Sequence, residues 1–231
     1  MPGAIGEDIA FRVLERTGGQ LVPMAITAPS NVPANVRLLR QTSHVWLRQA
    51  RSVASSDPEA ARHAYFASDV AFLAASDLGE PNVHVLVAQD EPGVAAEAVG
   101  GTIHGITIYR WGQDDVWHLD YQTTRPHDQP FWPSTDKVKG VGTLLLQAAA
   151  KEMAKNNCTT VELETLDESA ERFWRARGFT GTEEPLQLTC SQLQGLAANL
   201  RIRPHDDPAP GEWVAAGQKK KLADVSMAGG Y

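Results

Sequence analysis

Cysteine is scarce in this chain. There are two among 231 residues, Cys158 and Cys190, too few for a disulfide framework and without the spacing of metal ligands. A reducing, cytoplasmic setting is therefore the default expectation, with no metal centre. Neither cysteine has a flanking base or cation that would mark a reactive thiol. Long apolar runs are missing too. None approaches the roughly 20 residues that span a bilayer, so no membrane partner is expected. The opening MPGAIGEDIAFRV carries Glu7 and Asp8 where a secretory leader would be basic and then apolar, which argues against a signal peptide. Positive charge is in deficit, with 21 Lys and Arg against 28 Asp and Glu, a net −7. That argues against general binding along a nucleic-acid backbone, where basic groups must replace counterions, but not against a local basic pocket. No internal repeat occurs. The remaining composition, 42% apolar and 21% charged, is that of a globular domain with a sizeable core.

Hydrophobic period divides the chain. Before residue 36, IAFRVLER allows a short helix, QLVPMAI a short strand, and APSNVPAN is loop. VRLLRQTSHVWLRQARSV (36–53) places Leu38, Leu39, Val45, Trp46 and Ala50 near helical spacing. A second helix starts at Ser56-Asp57-Pro58-Glu59, where Asp57 can accept the free amides and proline suits the first turn. It runs through Ala61, Tyr65, Phe72 and Leu73 to a C-cap at Gly79. The period then shortens to two. Strands are expected at 82–90, 100–111 and 116–124, the last two joined by a hairpin turn at GQDD. RPHDQPFWPSTD (125–136) has three prolines and is a loop. A helix from Gly142 to about Asn156, a strand at 158–166 and a helix at 167–177 follow, the last capped by Asp167 and ended by Gly178. Beyond them LQLTC suggests a strand, SQLQGLAANLRI a helix, and the last twenty-odd residues a tail. Helices interleaved with strands indicate one α+β sheet domain.

One stretch carries chemistry. In KVKGVGTLLLQAAA (137–150) two glycines lead into an apolar helix. The first turn of a helix has amides without carbonyl partners and a partial positive charge. A pyrophosphate could sit against Gly140, Val141, Gly142 and Thr143, with Lys137 and Lys139 at the rim. The same pattern also serves as plain turn chemistry. It lacks the GK[ST] ending of a P-loop and the βαβ setting and ribose-binding acid of a dinucleotide fingerprint.

Past the next strand comes DESAERFWRARGF (167–179). The two stretches in this order resemble the GNAT N-acetyltransferase superfamily. Its acetyl-CoA signature is [Q/R]-x-x-G-x-[G/A] at a helix start, then a strand, then N-x-x-A-x-x-[L/F]-Y-x-x-x-G-F. Here the motifs read Lys137-Val-Lys-Gly140-Val-Gly142 and Asp167-Glu-Ser-Ala170-Glu-Arg-Phe173-Trp174-Arg-Ala-Arg177-Gly178-Phe179. The resemblance covers about residues 116–180. It implies a mixed, mostly antiparallel sheet flanked by helices and splayed between the strands at 116–124 and 158–166. Acetyl-CoA, as co-substrate, would lie in that cleft with its pyrophosphate on the amides of residues 138–143. The residues implied for coenzyme binding are Lys137, Val138, Lys139, Gly140, Val141, Gly142, Thr143, Asp167, Ala170, Phe173 and Trp174. The implied division is an N-terminal extension (1–35), a GNAT-like domain (36–185) and a C-terminal extension with tail (186–231). The implied activity moves acetyl to an amine on a small molecule or a protein, and a homodimer is allowed.

Three departures qualify the resemblance. Lys137 stands for arginine or glutamine, a contact made largely through backbone. The loop at 125–136 is longer than the family's, and Phe131 and Trp132 on it could cover the substrate or pack on the core. Trp174 stands where many members have a tyrosine that protonates the leaving thiolate. An indole N–H has no usable acidity near neutral pH, so the sequence also fits a non-catalytic protein on this scaffold that binds CoA or a partner. The candidate bases are His118 and Asp120, which alternation places on one strand face opposite Tyr121, and Glu162, which shares a face with Glu164. Tyr121 is a substitute acid from the other face. His104, in an apolar strand, reads as a hydrogen-bonded core histidine. The acidic surface mildly favours a cationic acceptor.

Overall fold

The computed structural model describes residues 9–15, 21–90, 101–130, 132–134, 137–183, 185–198 and 202–203. The segment between the strands expected at 82–90 and 100–111 and the C-terminal tail lie outside these, as does Phe131. The chain forms β1 (Ile9–Glu15), β2 (Leu21–Thr27), α1 (Pro33–Val53), α2 (Pro58–Asp77), β3 (Val83–Gln89), β4 (Ile103–Trp111) and β5 (Val116–Thr124). A single 3-10 turn (Pro126–Asp128) leads to α3 (Val141–Lys155), β6 (Thr160–Leu163), α4 (Glu168–Arg175), β7 (Leu186–Thr189), α5 (Cys190–Ala198) and β8 (Ile202–Arg203). The strands make one sheet in the order β7-β6-β5-β4-β3-β2-β1-β8, antiparallel except where β5 meets β6. This is the α+β architecture expected from the sequence.

Residues 9–15 are the correction. IAFRVLE pairs with both β2 and β8, so tertiary pairing overrides a local pattern that allowed a helix. The sheet also runs across the expected boundaries at 35 and 185, through β1, β2 and β7.

Both faces are covered. On one, α1 and α2 pack over Val85, Val87, Ile106 and Ile108. Helix α1 begins at Pro33 and buries Leu39, Ser43, Trp46 and Ala50, a 3.6-residue stripe, while Val45 is exposed. Helix α2 is capped as expected, with the Asp57 carboxylate accepting from the Ala60 N–H at 2.9 Å. Its buried face is mostly alanine, including Ala60, Ala64, Ala67, Ala71 and Ala74, and Tyr65 and Phe72 face outward. On the other face α3 lies over Tyr109, Trp117, Leu119 and Val161. The Tyr109 hydroxyl donates to Glu152 of α3, and the same carboxylate holds His84 Nδ1 at 2.9 Å.

The seat of α3 is set by Gly105 in β4. A Cβ there would lie 2.8 Å from Leu145 Cδ1, 2.9 Å from Val141 Cγ1 and 2.9 Å from the Thr123 carbonyl oxygen. Backbone and helix meet without room for a methyl group. Gly105→Ala is expected to lower stability by about 1–3 kcal/mol through overpacking, measured by urea denaturation. A change under about 0.5 kcal/mol would show that α3 can shift freely on the sheet.

Candidate active site

Strands β5 and β6 pair in parallel only at residues 116–118 against 160–162. Beyond that β6 turns away into α4 while β5 continues to Thr124. The second half of β5 therefore faces a cleft of ≈ 240 Å³, closed by His63 and Phe66 of α2, Gln129 and Pro130, and the α4 segment Asp167–Trp174. The sheet is splayed at the expected place.

A bulge shapes this half-strand. Ile108 pairs with Tyr121 but Tyr109 pairs with Leu119, so Asp120 is the extra residue. Leu119 joins the core under α3, and Gln122 donates to the Gly142 carbonyl at 3.1 Å. Between them Asp120 reaches Arg110 at 2.5 Å, and Tyr121 packs with the α2 side, 6.4 Å from the Phe66 ring. Strict alternation put Asp120 and Tyr121 on opposite faces; the bulge puts both on the α2 side of the cleft.

The glycine stretch begins α3. Gly140 is its N-cap, with φ 90°, a left-handed conformation that suits glycine. The first helical bond runs from the Leu144 N–H to the Gly140 carbonyl, which leaves the amides of Val141, Gly142 and Thr143 in the unpaired first turn. At Gly142 a Cβ would meet Gln122 Nε2 at 3.3 Å and Phe173 Cζ at 3.4 Å. The Val138 amide is not available to a ligand, because it donates to Asp128 at 2.9 Å, and its side chain is buried. The Lys137 ammonium donates to the Pro130 carbonyl at 2.9 Å, and Lys139 is exposed. The Thr143 hydroxyl accepts from Arg177 at 2.7 Å.

Arg177 was not visible as a site residue in sequence. Its guanidinium stacks 3.4 Å from the Phe173 ring centroid and donates to the Phe173 carbonyl at 2.7 Å. Among the described residues no carboxylate pairs with it, and burial lowers its pKa. It brings positive charge beside the first turn of α3.

Helix α4 starts as expected, with Asp167 accepting from the Ala170 N–H at 2.9 Å. The other Asp167 oxygen lies 2.8 Å from Arg62 and 3.5 Å from His63. Burial pushes this carboxyl up, but the Ala170 amide, His63 and Arg62 outweigh it and hold the pKa below the usual range. Burial is also the main influence on His63, lowering its pKa against the pull of Asp167. Trp174 is buried, edge-on to Phe173 at 4.8 Å and to Phe179 at 5.5 Å.

Of the three expected bases only Asp120 lines the cleft. Its burial raises the pKa, with Arg110 opposing. His118 and Glu162 sit where β5 and β6 still pair, with His118 Nδ1 3.7 Å from Glu162. Glu162 also accepts from Gln187 at 2.9 Å.

The long loop does two things at once. Trp132 packs into a small core with Ala50, Ala60 and Ala64 between α1 and α2. Gln129 and Pro130 line the cleft. Holding the segment is Asp128, wholly buried, which accepts from His104 Nδ1 at 2.8 Å, Arg125 Nη2 at 3.0 Å, Arg125 Nε at 3.1 Å and the Val138 amide. His104 is the buried, hydrogen-bonded histidine expected, and its Nε2 lies 3.3 Å from Asp90. Burial lowers the His104 pKa, but its two carboxylates outweigh it and the net shift is upward. For Asp128 burial pushes up, and His104, Arg125 and the Val138 amide bring the net shift down.

Residues 137–179 match the model of the acetyltransferase (GNAT) family, the segment holding both sequence motifs. No curated protein matches the chain. Among solved structures, a candidate N-acetyltransferase from Lactobacillus plantarum is 21% identical over 72% of this chain and 98% of that one, with a TM-score of 0.43. AtaTR bound with AcCoA is 13% identical over 53% and 76%, at 0.41. A candidate streptothricin acetyltransferase from Bacillus anthracis, in complex with acetyl coenzyme A, is 18% identical over 46% and 52%, at 0.34. No helix among the described residues is long and apolar enough to cross a membrane.

The Asp128 network yields a pH signature. A raised histidine pKa stabilises the fold fully below the unfolded value of about 6.5 and is lost as pH rises through the folded value. A depressed aspartate pKa stabilises above about 3.9 and is lost as pH falls through the folded value. The melting-temperature gap between wild type and Asp128→Asn is therefore expected to be widest near pH 5–6. It should narrow above the folded His104 pKa and again in strong acid. A gap that does not vary with pH would show that His104 is not charged in the fold.

Proposed function

We propose that this GNAT-type chain transfers acetyl from acetyl-CoA to an amine, on a small molecule or a protein. The observation that carries the reading is the parting of β5 and β6 beside the unpaired first turn of α3, with α3, β6 and α4 inside the segment that matches the family. In this reading the pyrophosphate rests on the amides from Lys139 to Thr143, with Arg177 and Lys139 supplying charge. Gly142 lets the coenzyme approach the helix, and Ala170 and Phe173 flank its arm. All the cleft-lining residues fall in the segment 36–185, which supports treating it as the transfer domain, with 1–35 and 186–231 as extensions. The net charge of −7 mildly favours a cationic acceptor, and the cysteine usage a cytoplasmic setting.

The chemistry is assigned to the bulge. Unpaired strand amides there polarise the thioester carbonyl, and holding the two reactants together supplies further rate. Asp120 takes the proton from the acceptor ammonium, directly or through water, helped by the burial that raises its pKa. The amine attacks the carbonyl carbon, the C–S bond breaks, and the leaving thiolate takes a proton from the Tyr121 hydroxyl, while the second proton, lost by the acylated nitrogen, restores that hydroxyl. His118 and Glu162, one step down the paired strands, pass the proton on toward solvent.

Trp174 favours a second reading, a non-catalytic protein that binds CoA in the same cleft, because a buried indole cannot act as the acid. Calorimetry with acetyl-CoA is expected to show binding by wild type and at least about tenfold weaker binding by Gly142→Glu, a loss of roughly 1.4 kcal/mol. Absent binding, or binding indifferent to that change, would overturn the coenzyme site. Thiol release across a panel of amines then separates catalysis from binding alone. Asp120→Asn is expected to lower kcat by about 10²–10⁴-fold while acetyl-CoA affinity stays within twofold.

A further inference from the structure

The loop between β5 and α3 contributes a polar side chain to the cleft that the transfer reading leaves unused. Gln129 follows the 3-10 turn, is 8% exposed and lines the cleft. Its Nε2 donates to the Thr124 carbonyl at 3.0 Å. A carbonyl oxygen can only accept, so this bond fixes which end of the amide is which and leaves Oε1 as the other end. That oxygen is buried, and among the described residues no donor reaches it.

A buried amide oxygen without a donor costs stability. The side chain is tied through Nε2 to Thr124, and the backbone that carries it is anchored on both sides. The Gln129 N–H donates to the Pro126 carbonyl at 3.1 Å, and the preceding residue is Asp128, clamped by His104, Arg125 and the Val138 amide. On its other side Trp132 is packed between α1 and α2. The residue is thus held at the cleft wall before any ligand arrives with one acceptor left over, an arrangement suited to a group able to donate.

We propose that Gln129 is a ligand-recognition residue whose Oε1 accepts a hydrogen bond from an N–H of the molecule in the cleft. The inference rests on the transfer reading, which offers two sources of that N–H. One is an amide of the coenzyme's pantetheine arm. The other is the acceptor amine.

The test uses the full chain and Gln129→Met, which keeps the length and apolar volume but removes the oxygen. Probes are acetyl-CoA, adenosine 3′,5′-bisphosphate, which lacks the arm, and the amine that gives most thiol release. If the arm is the source, the variant binds acetyl-CoA about tenfold more weakly and the bisphosphate unchanged. If the acceptor is the source, acetyl-CoA affinity is unchanged and KM for the amine rises about tenfold. Acetyl-CoA affinity and amine KM both within twofold of wild type overturn the proposal.

Should circular dichroism show Gln129→Met unfolded, wild type alone decides. An acetyl-CoA analogue with ester oxygen in place of an arm amide N–H, or the quaternary ammonium counterpart of the amine, then binds about tenfold more weakly. Losses under twofold for both overturn the proposal. If wild type binds no acetyl-CoA, the transfer reading fails and this inference falls with it. If acetyl-CoA binds and Gln129 is indifferent, only this inference falls.

Discussion

Much of the site's geometry hangs on one buried carboxylate. Asp128 receives a strand histidine, a loop arginine through two nitrogens, and the amide of Val138 just ahead of α3. These partners belong to three pieces of chain that sequence separates and the cleft needs together. Removing one would leave a charge uncompensated in the interior, which is far costlier than losing a surface pair. The network is therefore coupled. The wall of the cleft and the entry into the glycine turn are held by the same group, while Gly105 sets how closely the helix behind them sits on the sheet.

The elements near the motifs were legible because their signals are local. Asp57 and Asp167 cap their helices as their spacing suggested, Gly140 adopts the left-handed conformation its place before a helix implies, and the hairpin at GQDD joins β4 to β5. What was not legible depends on pairing between distant segments. The bulge at Asp120 is a property of two strands in register, so alternation along one of them misplaced Tyr121. Residues 9–15 are a strand because β2 and β8 flank them. The outward Tyr65 and Phe72 follow from an alanine face that packs against α1. Arg177 and Gln129 gain meaning only from what stands beside them, Phe173 and Thr143 for one, Thr124 and the cleft for the other.

The two oddities of the sequence bear on each other. Trp174 removes a hydroxyl from α4 and fills its place with an indole packed between two phenylalanines. The bulge turns a different hydroxyl, that of Tyr121, toward the α2 side of the same cleft, next to Asp120. The unusually long loop, which by length alone could have been a loose cover, is instead anchored at Asp128 and Trp132, and of its described residues Gln129 and Pro130 stand against the cleft.

The parallel pairing of β5 with β6 also governs how the molecule is put together. Strands β4 and β5 are neighbours in sequence and pair along most of their length, whereas β6 reaches β5 only after all of α3 has been laid down, and then at three positions. Long loops cost entropy that must be recovered by the contacts they close. This seam spans more of the chain than the β4–β5 hairpin and is bonded at fewer positions, and it is bridged beneath by the shared core of Trp117, Val161 and Leu188. The cleft lies where that join gives out, so the opening in the sheet and a non-local, thinly bonded join are one place.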